Sequence, residues 1–151
     1  RQASKFLFVH DDHPPGLALD LQAALHARFA QGAVGTRLIV LEKIGELLDK
    51  SVETFMVSTP TFSEIRESLG KKIEHAVARG IRFTIITEPG QKIPEGAAAV
   101  HRKGLIATDV IVDGSSALIA SPDLSACGYT DNASLSRHLE NFLEIIMNLK
   151  E

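Results

Sequence analysis

Residues 105–125 read LIATDVIVDGSSALIASPDLS, and the order of residue types in this stretch decides the fold. Leu105-Ile106-Ala107, Val110-Ile111-Val112 and Ala117-Leu118-Ile119-Ala120 are apolar runs. Between the last two sits Asp113-Gly114, the dipeptide best suited to a tight hairpin, because both positions tolerate positive φ. The stretch therefore predicts a strand pair followed by a polar corner at Ser121-Pro122-Asp123.

Upstream, Val52–Ser58 (VETFMVS) alternates as a strand covered on both faces. Thr61 and Glu64 have capping-box spacing for a helix that buries Phe62, Ile65, Leu69, Ile73, Ala76 and Val77, with Gly80 as its stop. Ile81–Thr87 (IRFTIIT) follows at once as a buried strand. Strand, helix and strand in this order make a βαβ unit, whose crossover gives parallel neighbours. Earlier, Thr36–Leu41 (TRLIVL) reads as a strand leading to a short amphipathic helix with Ile44, Leu47 and Leu48 inward. Lys5–Val9 (KFLFV) reads as another strand. Past Pro14-Pro15, residues Leu17, Leu21, Ala24, Leu25 and Phe29 share one helical face. Downstream of the loop at Glu88–Gly96, Ala97–His101 reads as a strand. A closing helix spans about Asn132 to Lys150, with Leu135, Leu139, Phe142, Leu143, Ile146 and Leu149 inward. The class expected is α/β, a mixed and largely parallel sheet flanked by helices.

The chain has 151 residues, enough for one domain with a proper core. A hydrophobic fraction of 44% and a charged fraction of 23% are those of an ordinary globular protein. A net charge of −3 excludes a nucleic-acid binder that works through a generally basic surface. One cysteine, Cys127, excludes an internal disulfide and fits a reducing cytoplasm. No apolar run has the length of a membrane span and no signal peptide is visible. Because the chain opens on Arg1, we expect a piece of a longer protein.

His10 and His13, three apart with Asp11 and Asp12 between, have metal-ligand spacing. No further Cys or His lies nearby in sequence, and the segment runs into Pro14-Pro15, so a solvated turn is the expected reading. No glycine-rich phosphate loop is present, and no cofactor is expected. His26, His75 and His138 fall on polar helix faces. Cys127 is expected as a buried structural thiol. His101-Arg102-Lys103 reads as a solvated basic strand end.

The hairpin resembles the catalytic strand–turn–strand of the phospholipase D superfamily, whose motif is HxKxxxxD followed by GSxN. Its histidine attacks phosphorus or protonates the leaving oxygen, and its lysine neutralises the phosphoryl oxygens. Aligned on the turn, Asp113 takes the motif aspartate, Ala120-Ser121 the Gly-Ser pair and Asp123 the asparagine. The histidine and lysine positions fall on Ile106 and Thr108, which cannot do that chemistry. His101 and Lys103 lie one residue too far from Asp109 and five too far from Asp113, and on a strand one residue reverses the facing.

The order of segments is similar to the C-terminal, phospholipase-D-like domain of TrmB-type archaeal transcription regulators. The resemblance rests on Asp113–Asp123, on the corner Gly128-Tyr129-Thr130-Asp131-Asn132 with the helix through Phe142, on Ser58-Thr59-Pro60 before a helix, and on Ala78–Ile86. Phe6–Leu25 is similar to that family's link between DNA-binding and sensor domains. The resemblance implies residues 1–35 as a strand and helix linking to a winged-helix DNA-binding domain before Arg1. It implies residues 36–151 as a sensor and dimerisation half-domain, without catalysis, in a cytoplasmic homodimer that answers a small effector. Thr108, Asp113, Ser121 and Asp123, with His101 and Lys103 at the rim, are the expected ligand contacts. The alternative is a single-motif phosphodiesterase or nuclease completed across a dimer.

Overall fold

A computed structural model describes residues 6–9 and 36–149. The expected helix at Leu17–Phe29 and the pair His10 and His13 lie outside these described residues. Seven strands form one sheet: β1 (Phe6–Val9), β2 (Thr54–Thr59), β3 (Arg82–Thr87), β4 (Ala98–His101), β5 (Thr108–Val112), β6 (Ser116–Ala120) and β7 (Cys127–Thr130). The helices are α1 (Thr36–Lys50), α2 (Phe62–Ala78) and α3 (Ala133–Met147). Across the sheet the strands run β1-β7-β6-β5-β2-β3-β4. Pairs β1–β7, β2–β3 and β3–β4 are parallel, and β2–β5, β5–β6 and β6–β7 are antiparallel. The mixed α/β class and the βαβ unit β2-α2-β3 are as the sequence predicts.

Two apolar clusters show how the layers stack. On one face, Val40, Ile44 and Leu48 of α1 and Phe62, Ile65 and Ile73 of α2 pack with Phe55, Val57, Phe83, Ile85, Val110 and Leu118. On the other, Leu135, Leu139 and Leu143 of α3 pack with Ile86, Ile111, Ala117 and Ile119. Side chains alternate along β5, so Val110 and Val112 serve the first face and Ile111 the second. All five residues of β5 are buried because both faces are covered.

Thr36–Leu41 is not a strand but the first part of α1. Val40, Leu41, Ile44, Leu47 and Leu48 are buried, whereas Leu38 is 70% exposed. In a strand Leu38 and Val40 would share a face; the burial follows the 3.6-residue period through the whole of 36–50. The β-branched run had mimicked a strand, and the periodicity beyond it decided the outcome. The capping box also fails to form. Thr61 is the N-cap of α2 without a side-chain cap bond; its hydroxyl donates instead to the Pro122 carbonyl (3.2 Å). Glu64 pairs with Arg37 of α1 (2.7 Å). The start of α2 is thus tied to neighbouring elements rather than to itself. α3 does have a side-chain cap, the Asn132 carboxamide accepting from the Leu135 amide at 2.9 Å. Phe142 and Leu149, expected inward, are 38% and 55% exposed.

The hairpin turn is held from outside. Asp113 and Gly114 both have positive φ, 54° and 66°, and the Ser115 amide donates to the Val112 carbonyl at 3.0 Å. The Asp113 carboxylate accepts from the amides of Val52 (3.1 Å), Glu53 (2.7 Å) and Thr54 (3.0 Å). Its own amide donates to the Thr54 carbonyl at 2.9 Å. One side chain therefore fastens the turn to the entrance of β2. Charge-assisted bonds of this kind contribute about 1.5–3 kcal/mol each, less where shared and exposed. Asp113→Ala should cost about 3 kcal/mol in urea unfolding, and Asp113→Asn, which keeps the turn conformation, about half of that.

Candidate functional site

The sheet brings some of the expected contact residues to one end and sends one to the other. His101 pairs with Thr87, Thr87 with Thr59, Ser58 with Asp109, and Thr108 with Ala120. His101, Lys103, Thr108, Ser121 and Asp123 therefore share the end of the sheet where β2 and β3 finish. Asp113 sits five residues along the chain from Thr108, about 17 Å, at the opposite end. Thr108 is fully buried, its hydroxyl 2.9 Å from that of Thr59 on the α1–α2 face. Ser121 and Asp123 bond within their own corner. The Ser121 hydroxyl donates to Asp123 Oδ1 (2.8 Å) and accepts from the amides of Ser125 (3.0 Å) and Ala126 (3.2 Å). Asp123 Oδ1 also accepts from the Ser125 hydroxyl (2.7 Å), the chief cause holding this carboxyl below the ordinary value. Leu124, at φ 64° and fully buried, anchors the corner in the core.

The residue that the motif alignment passes over is Asp109. It is 4% exposed, and its Oδ1 is buried without a hydrogen-bond partner among the described residues. It faces the α3 side beside Ser58, its cross-strand neighbour. Together the two form the floor of a pocket of about 210 Å³, whose walls are Gly104, Leu105, Ile106 and Ala107 on one side and Phe142 and Ile146 of α3 on the other. Burial pushes the Asp109 carboxyl up to about 7. A carboxyl poised there can hold or give up a proton near neutral pH, and it accepts a hydrogen bond in either state. Its sequence signal was an ionisable residue inside an otherwise apolar strand buried on both faces.

The walls are held in place by polar bonds. Arg102 reaches the end of α3, where Nε donates to the Ile146 carbonyl (2.9 Å) and Nη2 to those of Met147 (2.6 Å) and Leu149 (2.9 Å). The positive group meets the negative end of the helix macrodipole. Arg102 is thus a helix clamp, not part of a solvated basic strand end, although His101 and Lys103 on either side of it are exposed. Glu88 accepts from the Leu105 amide at 3.1 Å, and its carbonyl lies 3.3 Å from His101 Nδ1. Cys127 is buried in the core, its thiol pushed up to about 12 by burial. Among the described residues no group of three or more metal-ligating side chains is assembled, and no helix is long and apolar enough to cross a membrane.

No family model matches the chain, and no curated protein matches it. Solved structures do. TrmBL2, an archaeal chromatin protein whose structure shows a novel mode of DNA binding, is similar at 15% identity and TM-score 0.58, over 71% of this chain and 47% of that one. The chain thus spans about half the length of TrmBL2. NucT from Helicobacter pylori is similar at 12% identity and TM-score 0.61, over 76% of this chain and 91% of that one. Phosphatidylserine synthase from Haemophilus influenzae Rd KW20 matches at 15% identity and TM-score 0.48, over 78% of this chain and 37% of that one. The fold is phospholipase-D-like. This corrects the expectation of a chain without catalysis: the scaffold is shared with NucT as well as with TrmBL2, and a shared scaffold says nothing against an enzyme. The inference from Ile106 and Thr108 concerned a single alignment of one motif, and it does not reach chemistry carried elsewhere, as on Asp109.

Two measurements check this geometry. Because the folded Asp109 carboxyl lies at about 7 against an ordinary 3.8, folding is penalised where the unfolded chain ionises and the folded one does not. Stability linked to this group is complete below about pH 4, declines as pH rises to about 7 and is flat above, a loss of at most about 4 kcal/mol. Urea midpoints of wild type and Asp109→Asn should therefore agree near pH 4, with the variant more stable at pH 8. Arg102→Met should cost about 1–2 kcal/mol and speed amide exchange in the last turn of α3.

Proposed function

We propose that the chain is the effector-sensing and dimerisation domain of a TrmB-like DNA-binding transcription regulator. The observation that carries this reading is the phospholipase-D-like sheet it shares with TrmBL2, together with the TrmB-type order of hairpin, corner and closing helix in the sequence. The effector surface is the end of the sheet that bears His101, Lys103, Ser121 and Asp123 and that includes the Asp109 pocket on its α3 side, with Thr108 buried beneath it and Asp113 keeping the hairpin in place from the far end. In the whole protein, a winged-helix domain before Arg1 would read DNA. Effector binding would act through the relative placement of two protomers, since a ligand shifts such an equilibrium only by binding its two states unequally.

Sedimentation equilibrium of the full-length protein should give a dimer. Mobility-shift titrations should give binding to its own promoter DNA that a cognate small molecule changes five-fold or more. Turnover of bis(p-nitrophenyl) phosphate that is abolished by His101→Ala, with no promoter binding, would overturn this reading in favour of a phosphodiesterase.

A further inference from the structure

The Asp109 pocket differs in chemistry from a phosphodiester site. A phosphate needs cations or clustered amides, and no described residue lining this pocket carries a positive charge. Among the described residues its only ionisable group is Asp109, and Oδ1 of that carboxyl is buried with no hydrogen-bond partner among them. Buried polar atoms are satisfied in about nine cases of ten, so a carboxyl that lines a pocket and keeps an unsatisfied oxygen is suited to a bond from a bound molecule. The partner must donate a hydrogen bond, and a cationic donor gains most from a carboxylate in a low-dielectric site.

The remaining surface selects the rest of the ligand. Leu105, Ile106, Ala107, Phe142 and Ile146 present hydrocarbon, and Ile106 is 69% exposed at the mouth. An apolar cavity of about 150 Å³ accepts a benzene-sized guest. A pocket of about 210 Å³ therefore holds one small ring or a short branched chain with a head group. The Phe142 ring adds an aromatic wall beside that head group.

We propose that this pocket binds a small organic amine, its ammonium group on Asp109 and its short apolar body against Ile106, Phe142 and Ile146. The assignment rests on the effector-sensing reading and names the chemical class of that effector. The ion pair forms on β5, and the body of the amine bridges the 104–107 segment to α3. Occupancy thereby ties the closing helix to the sheet through a ligand as well as through Arg102.

Benzylamine is the probe, titrated into the isotope-labelled protein with amide shifts followed by NMR. Saturable shifts are expected at Ile106, Asp109 and Phe142. Affinity should fall at least tenfold in Asp109→Asn and severalfold in Phe142→Ala, and benzyl alcohol should bind at least tenfold more weakly than benzylamine. Equal affinity in wild type and Asp109→Asn would overturn the site. So would tighter binding of benzyl phosphate, or the absence of saturable binding by benzylamine, cyclohexylamine and isobutylamine alike, which would leave the pocket to water. Amine binding in a full-length protein that does not bind DNA supports the site and removes the regulator reading. DNA binding without amine binding overturns the site alone.

Discussion

A single carboxylate sets the geometry on which everything else depends. Asp113 takes the first amides of the 52–54 segment and closes the turn between β5 and β6. The hairpin is thereby fixed in register against β2, with Phe55 opposite Val112 and Ser58 opposite Asp109. On a strand, a slip of one residue exchanges the two faces. Such a slip would turn Asp109 into the apolar α1–α2 core and Thr108 into the pocket. The constraint at one end of the sheet therefore determines which polar side chain meets the cleft at the other. Asp113 is also one of only two non-glycine residues described at positive φ. An aspartate tolerates that conformation better than most residues and carries the acceptor the turn needs.

The opposite end is shaped by a second set of bonds. The 101–107 segment has little apolar surface to anchor it, since His101, Lys103, Gly104 and Ile106 are all exposed. Arg102 and Glu88 replace that anchorage with directed bonds, to the α3 carbonyls and to the Leu105 amide. A pocket between a loop and a helix end keeps its width only if the two are joined, and here they are joined by a guanidinium that satisfies otherwise orphaned carbonyls. The buried Asp109 is the cost of this arrangement. A leucine there would serve the core better, so a carboxyl buried in this hydrophobic strand opposes folding.

Much of the scaffold was legible in the residues alone. The βαβ unit, the hairpin, the β4 strand and the closing helix each carried a pattern of the right period with a stop or turn residue at its end. The misreading of Thr36–Leu41 came from weighing six β-branched and leucine-rich residues before the nine that follow. Leu38 exposed beside buried Val40 and Leu41 has no place in an alternating strand. Glu64 failed as a capping residue because Arg37 lies within its reach, a contact between elements that no local motif encodes. The site was harder to read for the same reason. Its floor comes from β2 and β5 and its walls from the 104–107 segment and α3, so no short window contains it. Arg102 likewise reads in the sequence as one of three consecutive basic residues, and only the helix end it grips sets it apart from His101 and Lys103.

Ile106 and Thr108, the positions of the motif histidine and lysine, lie beside the Asp109 pocket. Ile106 lines the pocket, and the residue with an unspent polar group is the one after Thr108. A one-residue step along β5 moves from a threonine sealed against Thr59 on one face to a buried carboxyl that lines the cleft on the other. In the phospholipase D motif two side chains spaced i and i+2 act together on a single face. In this chain the first of that pair is hydrocarbon at the mouth of the pocket and the second is locked into the core, so their joint action on a phosphoryl group has no counterpart at those positions. Asp109 belongs to the other face, where α3 rather than α2 forms the roof. A molecule bound there touches the closing helix directly, and that helix carries Ile145 at 62% exposed on its outer side. The same helix thus has one surface on the pocket and another that is exposed among the described residues.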